Sequence, residues 1–331
     1  MKISVCIPLY NGEHCIVSAL RSLQSQTRIP DEVIIRDDCS TDGSKDLINT
    51  FNDLNIDYLT NEVNLGCVGN WNKCLEDSTG EIITFLHQDD GFEPTFLEQM
   101  ETAFKEDPDN TGLWYCKTYV KENDITKDIN KSQGSKSSFL ETRVAVSNFF
   151  TWREVPAPTG VAFNKLALSE VGIYDPVYKI CPEPDLYLRI VMSGYKVYKS
   201  SEILIWRTLP ETRATNTFGS TKDYYNEWFY FLEKNSRNSE LISPPLISDG
   251  LEYLYFQASR SVISNIYIRR FKESLKIVRM VPRKGGDFLK QQKLSQPGVS
   301  KFIVSLFLSF IMISYYNLRK WLATIYRSLR A

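Results

Sequence analysis

Short apolar runs and helical repeats alternate along the first two hundred residues. Residues 3–8 (ISVCIP) are rich in β-branched side chains and read as a buried strand. Asn11-Gly12 breaks that run, and Ile16, Leu20 and Leu23 then recur at helical spacing. The alternation repeats: a strand over 33–36, a helix capped by Asp42 and Ser44 running through Leu47 and Phe51, a strand over 56–59, a helix over 68–76, and a strand over 81–86. A further helix follows Pro94, where proline suits the first turn. This order predicts an α/β fold, with a mostly parallel sheet covered by helices on both faces.

The pattern changes after residue 121. Residues 121–138 are polar and charged and read as a loop or excursion. Strand-like runs return at 160–163 and 197–206, with a helical repeat at 186–192 between them and an aromatic-rich helix over 218–232. Residues 302–318 are 17 residues without a charge.

Composition adds two constraints. The 331 residues carry a net charge of only -1, but fifteen Lys/Arg against two acids give the stretch from Arg260 to Ala331 a charge of +13. A tail so basic is expected to meet something anionic; it contains no recognised nucleic-acid module, which leaves a membrane surface as the expected partner and nucleic acid as none. The seven cysteines are scattered without a CxxC pair, which fits a reducing compartment and argues against a zinc site or a disulfide framework. Met1-Lys2 leads straight into the first strand, unlike the long apolar core of a secretion signal. With only His14 and His87, the chain offers little for a zinc or Ser-His-Asp site.

In an open parallel sheet, ligands bind beyond the carboxyl ends of the strands. Three predicted strands end in conspicuous residues: Pro8-Leu9-Tyr10-Asn11, Asp37-Asp38 and Asp89-Asp90. Tyr10 offers a flat ring for a base to stack on, Asp38 an acceptor for a base N–H, and Asp89 with Asp90 hard oxygens for a divalent cation against a diphosphate. Turn and capping chemistry explains any one of these pairs alone; it does not explain two, each directly after an apolar strand.

The ordered segments 4–12 (SVCIPLYNG), 37–44 (DDCSTDGS), 64–72 (NLGCVGNWN), 80–90 (GEIITFLHQDD) and 182–197 (PEPDLYLRIVMSGYKV) resemble the inverting glycosyltransferases of family 2, over roughly the first 210 residues. The resemblance implies a Rossmann-like GT-A fold. It assigns residues 1–215 to the transferase domain, with the nucleotide sugar held by 1–120 and the acceptor and base by 121–215. A helical, partly basic extension would follow over 216–296.

The resemblance also implies roles. Pro8, Leu9, Tyr10, Asn11, Asp38 and Asp89 would bind a nucleotide sugar, with UDP favoured. Asp90 would ligate Mn²⁺ or Mg²⁺, and Glu183 would be the catalytic base, with Asp185 as its rival. Four positions depart from the family pattern: His87 where an Asp is frequent, Trp71 for an Arg, Glu183 for an Asp, and Leu209 for a His. His87 thereby becomes a further candidate ligand. The expected activity is non-processive transfer to a lipid-linked glycan of a bacterial surface polysaccharide, since the Gln-x-x-Arg-Trp motif of polymerising relatives is absent. A nucleotide-sugar-binding pseudoenzyme is the alternative, and product formation would separate the two.

Residues 297–331 are expected to form a membrane-associating helix on the cytoplasmic face. Seventeen residues make about 25 Å of helix, against a hydrocarbon core of about 30 Å. Extended through Arg330, the helix would group Ser305, Ser309, Asn317, Lys320, Thr324 and Arg327 on one side, a pattern suited to lying in the interface. A helix docked on the protein's own core is the competing expectation.

Overall fold

The computed structural model describes residues 1–122, 125–128, 136–208, 222–237, 240–267, 276–277, 280–284, 287–288 and 290. The chain divides into two compact units: Met1–Phe149 with Glu154–Glu211, and Phe150–Arg153 with the described residues of Thr212–Ala331.

The first unit is built on one sheet. Its strands are β1 (Ile3–Leu9), β2 (Glu32–Asp37), β3 (Ile56–Thr60), β4 (Ile82–Phe85), β5 (Asp90–Phe92), β6 (Thr111–Glu122), β7 (Ile125–Asp128), β8 (Ser138–Phe139), β9 (Val161–Asn164) and β10 (Lys196–Thr208). The helices are α1 (Ile16–Gln24), α2 (Ser44–Ile48), α3 (Gly66–Asp77), α4 (Phe96–Glu106), α5 (Thr142–Phe150), α6 (Lys165–Val171) and α7 (Glu183–Met192). The sheet order is β3-β2-β1-β4-β9-β6-β10-β5, with β7 on β6 and β8 on β10.

The parallel arrangement predicted by the alternating pattern holds for β3-β2-β1-β4. β9 then runs antiparallel to both β4 and β6, and β5 antiparallel to β10. Part of the segment expected as a loop instead forms a hairpin, with β7 pairing antiparallel to the end of β6. An edge strand needs only backbone pairing, so its polar side chains give no strand signal.

Alternate residues of a strand face opposite sides of its sheet. Ile3, Val5, Ile7 and Leu9 of β1 join Val33 and Ile35 of β2 in a core with Ile16, Leu20 and Leu23 of α1 and Phe96, Met100 and Phe104 of α4. On the other side, the Cys6 thiol donates to the Cys74 carbonyl of α3 at 3.5 Å. Helices thus cover both faces. At the amino end of the sheet, the buried Glu32 carboxylate accepts from Ser4 Oγ (2.5 Å), the Thr79 amide (2.6 Å) and the Thr79 hydroxyl, and pairs with Lys2 Nζ at 2.8 Å. Burial pushes its pKa upward, but the hydrogen bonds from Lys2, Ser4 and Thr79 outweigh that and bring it down to about 2.

The second unit contains α8 (Lys222–Asn235) and α9 (Pro244–Tyr267). Trp152 stacks on Trp228 with ring centroids 4.3 Å apart, and Tyr225 donates to Ser261 Oγ at 2.6 Å. α8 meets the aromatic-rich helix expected over 218–232; residues 297–331 lie outside the described residues. Among the described residues, no helix is long and apolar enough to cross a membrane.

Candidate active site

The carboxyl ends of β1, β2 and β4 are stitched together by side chains that follow each strand. Leu9 closes β1 with its side chain in the core and its carbonyl accepting from the Asp38 amide at 2.9 Å; the half-buried Pro8 precedes it. Tyr10, the next residue, is 51% exposed. Its amide donates to Gln88 Oε1 (2.8 Å), and its carbonyl accepts from Gln88 Nε2 (3.1 Å). One amide side chain beyond β4 therefore brackets the residue that follows β1. Asn11 has φ of +47°, a conformation asparagine tolerates, and its amide donates to Ser40 Oγ at 2.8 Å while its Oδ1 accepts from the Thr41 amide at 2.9 Å. Gly12 leaves no room for a side chain, since a Cβ there would lie 2.7 Å from Leu9 Cδ1.

The two aspartates at the end of β2 do different work. Asp37 accepts from the Ser40 amide (2.9 Å) and from the Tyr58 hydroxyl (2.6 Å), which is turn chemistry. Asp38 is 3% exposed, and its carboxylate accepts from Asn61 Nδ2 (2.8 Å), the Leu65 amide (2.7 Å) and the Gly66 amide (2.9 Å). It thereby anchors the start of α3. Three N–H donors on a carboxylate leave one acceptor position of four.

Glu183 begins α7 and lies half-buried. Its charge is felt across the site. Cys67, in the first turn of α3, is exposed as a residue, but crowding by neighbouring atoms raises its thiol, and Asp38 and then Glu183 raise it further. Burial, with Glu183 next in size, also raises the Tyr174 hydroxyl. Asp38 and Glu183, more than 140 residues apart, thus act on one side chain. Further along α3, Trp71 stacks on His87 (5.1 Å, 29°) and meets Tyr174 edge-on at 5.5 Å. Asn72 of α3 clamps the Tyr174 backbone through both of its amide groups, at 2.8 and 3.1 Å.

Asp185 sits in a different environment from Glu183. It is 0% exposed, pairs with Arg189 Nε at 2.9 Å and accepts from the Tyr178 hydroxyl at 3.3 Å. Arg189 in turn donates to the carbonyls of Val171, Gly172 and Ile173 (2.7 Å to the last). This ion pair pins the segment that carries Tyr174.

Asp89 and Asp90 follow β4. The Asp89 carbonyl accepts from Thr208 Oγ1 at 2.7 Å. Asp90 is 1% exposed and opens β5, where pairing places it opposite Arg207; Arg207 Nε lies 3.3 Å from Asp90 Oδ2. Cys15, at the start of α1, reports on the local charge. Its thiol is pushed up to about 12 by burial, then by Asp89, Asp42 and Asp90. Asp89 and Asp90 offer the hard oxygens that a divalent cation takes. Among the described residues, no group of three His, Cys, Asp or Glu forms a ligand cage. The donor set fits a cation that draws its remaining ligands from phosphate oxygens and water.

The structure brings Tyr10, Asn11, Asp38, His87, Asp89, Asp90 and Glu183 to one end of the sheet. Reading the sequence did not single out Gln88 or Arg207. Gln88 had a signal, its place inside the His87–Asp90 run; Arg207 had none, because its partner is 117 positions away.

The sequence model for glycosyl transferase family 2 matches residues 4–171. An uncharacterized glycosyltransferase of Nostoc sp. is 32% identical over 82% of this chain and 82% of its own length. The GalNAc(5)-diNAcBac-PP-undecaprenol beta-1,3-glucosyltransferase of Campylobacter jejuni is 24% identical, over 70% of this chain and 72% of its own length. Among solved structures, S. aureus TarS 1-349 in complex with UDP-GlcNAc superposes with a TM-score of 0.62 at 16% identity, covering 89% of this chain and 93% of that one. The mannosyltransferase PcManGT of Pyrobaculum calidifontis, in complex with GDP-Man and Mn²⁺, gives 0.58 at 18% identity, covering 97% of this chain and 82% of that one. The likenesses to both structures establish a shared GT-A fold.

Proposed function

The chain belongs to glycosyl transferase family 2 and is a glycosyltransferase, and from that premise we propose that it is an inverting, non-processive enzyme that moves a sugar from a UDP-sugar to a hydroxyl of a lipid-linked glycan. The observation that carries this reading is the joining of adjacent strand ends: the Asp38 amide donates to the Leu9 carbonyl and Gln88 brackets Tyr10, so Tyr10, Asp38 and the Asp89-Asp90 pair lie together beyond the carboxyl ends of β1, β2 and β4. The undecaprenol-linked acceptor in the name of the Campylobacter relative supports the choice of acceptor, and the UDP-GlcNAc bound in the staphylococcal structure supports the choice of nucleotide.

In this reading Tyr10 stacks on uracil, and Asp38 offers its fourth acceptor position to the base N–H while fixing the turn that carries Leu65 and Gly66. Asn11, with the Pro8-Leu9 backbone, shapes the floor beneath the base. Asp89 lies beside the ribose and diphosphate, and Asp90, with His87 as a further candidate, would hold Mn²⁺ or Mg²⁺. A cation bound there supplies positive charge to the diphosphate as it departs. Glu183 takes the proton of the acceptor hydroxyl as its oxygen bonds to the anomeric carbon. The bond from that carbon to the phosphate oxygen breaks on the opposite face, and UDP leaves with the electron pair. The configuration inverts, and no covalent enzyme intermediate is needed. The basic C-terminal tail would keep the enzyme on the cytoplasmic membrane face beside its acceptor.

Calorimetry with UDP, GDP and ADP tests the donor side. UDP is expected to bind most tightly, and Tyr10→Ala should lose about tenfold, the stacking contribution of one ring. Equal affinities for the three nucleotides would refute the uracil assignment.

A further inference from the structure

We propose that Arg207 holds the Asp90 carboxylate in the donor-free protein and competes for it with a divalent cation, so that cation and nucleoside diphosphate bind as a coupled pair. The proposal rests on the reading of Asp89 and Asp90 as the diphosphate end of the donor site.

The pairing is built into the sheet. β5 is only three residues long, and its antiparallel register sets Asp90, Gly91 and Phe92 opposite Arg207, Trp206 and Ile205. The indole of Trp206 lies over Gly91, where a Cβ would be 2.0 Å from its Cζ2. Lys121 Nζ also lies over that indole, 5.2 Å from the ring centroid. Any residue larger than glycine at 91 would displace the Trp206 indole. The close approach is therefore part of the sequence, and it fixes the Arg207 stem beside Asp90.

A buried carboxylate is costly without a counter-charge, and Arg207 supplies one that never deprotonates. A cation arriving alone meets an oxygen already committed to a guanidinium, and a second positive charge on the same carboxylate is repelled. The described residues add no third ligand to repay that cost. A diphosphate changes both sides of the exchange. It brings oxygens to the cation, and it offers Arg207 the planar, forked recognition that guanidinium makes with phosphate. Arg207 then has an anion other than Asp90, and Asp90 is released to the cation. By linkage, nucleotide raises cation affinity and cation raises nucleotide affinity by the same factor. Direct chelation of the cation by phosphate contributes to that factor in any such site; the Arg207 share is what a variant isolates.

The test measures Mn²⁺ binding to the full chain without nucleotide, by the electron paramagnetic resonance of free Mn²⁺, and then with saturating UDP. Arg207→Gln should bind Mn²⁺ alone about tenfold tighter than the native protein, and its UDP–Mn²⁺ coupling factor should shrink by a similar amount. Arg207→Lys keeps the charge but not the fork, and its Mn²⁺ affinity should fall between the two. Should the glutamine variant not fold, the lysine variant carries the comparison. Mn²⁺ affinities unchanged from the native protein in the folded variants would overturn the proposal. Absence of UDP binding by the native protein, with or without Mn²⁺, would overturn the donor-site reading itself and this proposal with it.

Discussion

Two acids two residues apart at the start of α7 should separate cleanly by mutation. Asp185→Asn removes the charge from a fully buried carboxylate and turns an N–H donor toward Arg189, which is itself a donor. Removing one partner of a buried ion pair costs about 3–5 kcal/mol. Arg189 is 23% exposed and keeps its bonds to the carbonyls of Val171, Gly172 and Ile173, so the loss should sit lower, at about 2–3 kcal/mol. With a urea m-value of about 2–3 kcal/mol/M, the unfolding midpoint falls by about 1 M. Glu183→Gln keeps the size of the side chain and loses the favourable placement of an acid at a helix N-terminus, worth under about 1 kcal/mol. Its turnover should nevertheless drop by roughly 10²–10⁴-fold, with UDP affinity unchanged. The assays are urea unfolding followed by tryptophan fluorescence, and UDP release from UDP-sugar in the presence of an acceptor. If Asp185→Asn unfolds at the native urea concentration yet loses turnover a hundredfold, while Glu183→Gln turns over normally, the acids have been assigned the wrong way round.

Other perturbations test the frame around the site. The Glu32 pKa of about 2 lies below its ordinary value of 4.5, so the native state binds its proton less tightly than the unfolded chain. That stability is fully present above pH 4.5 and is lost as pH falls toward 2; because Lys2 is half in solvent, Glu32→Gln should cost only about 1–2 kcal/mol at pH 7, with the difference closing in acid melts. Gly160 has φ of +87°, and a Cβ there would lie 1.6 Å from Ile205 Cδ1, so Gly160→Ala should destabilise by more than about 2 kcal/mol, measured as a lower Tm. Truncation after Gln296 should abolish co-sedimentation with anionic liposomes while leaving UDP affinity intact; equal sedimentation of both chains would refute the membrane role of the tail.

How much of this was legible in the sequence depended on whether the signal was local. β1, β2 and β4 announce themselves as apolar runs because both faces of each are covered; β3, a half-exposed edge strand, is legible from Ile56, Tyr58 and Leu59 instead. β6, although central, was not anticipated: its Trp114 and Tyr115 give way to Lys117, Lys121 and Glu122, and a strand that leaves the core loses its pattern. β5 is too short for any periodicity. The acid pairs were visible because each comes at or within a few residues of the end of an apolar strand. The work Asp38 does in anchoring α3, and the partnership of Asp90 with Arg207, arise from pairings that only the folded sheet brings about.

The bracket that Gln88 places around Tyr10 has a bearing on how donor preference can change. The side chain that steadies Tyr10, the proposed stacking residue, belongs to the same few residues of backbone as Asp89 and Asp90. A substitution that re-aims Tyr10 to suit a larger base would tug on Gln88 and thus on the carboxylates next to it. On the proposed reading, nucleobase choice and diphosphate chemistry are mechanically yoked. A drift in one would demand a compensating change in the other, and exchange of the base-facing strand end alone between relatives should give poor enzymes unless the residue at position 88 travels with it.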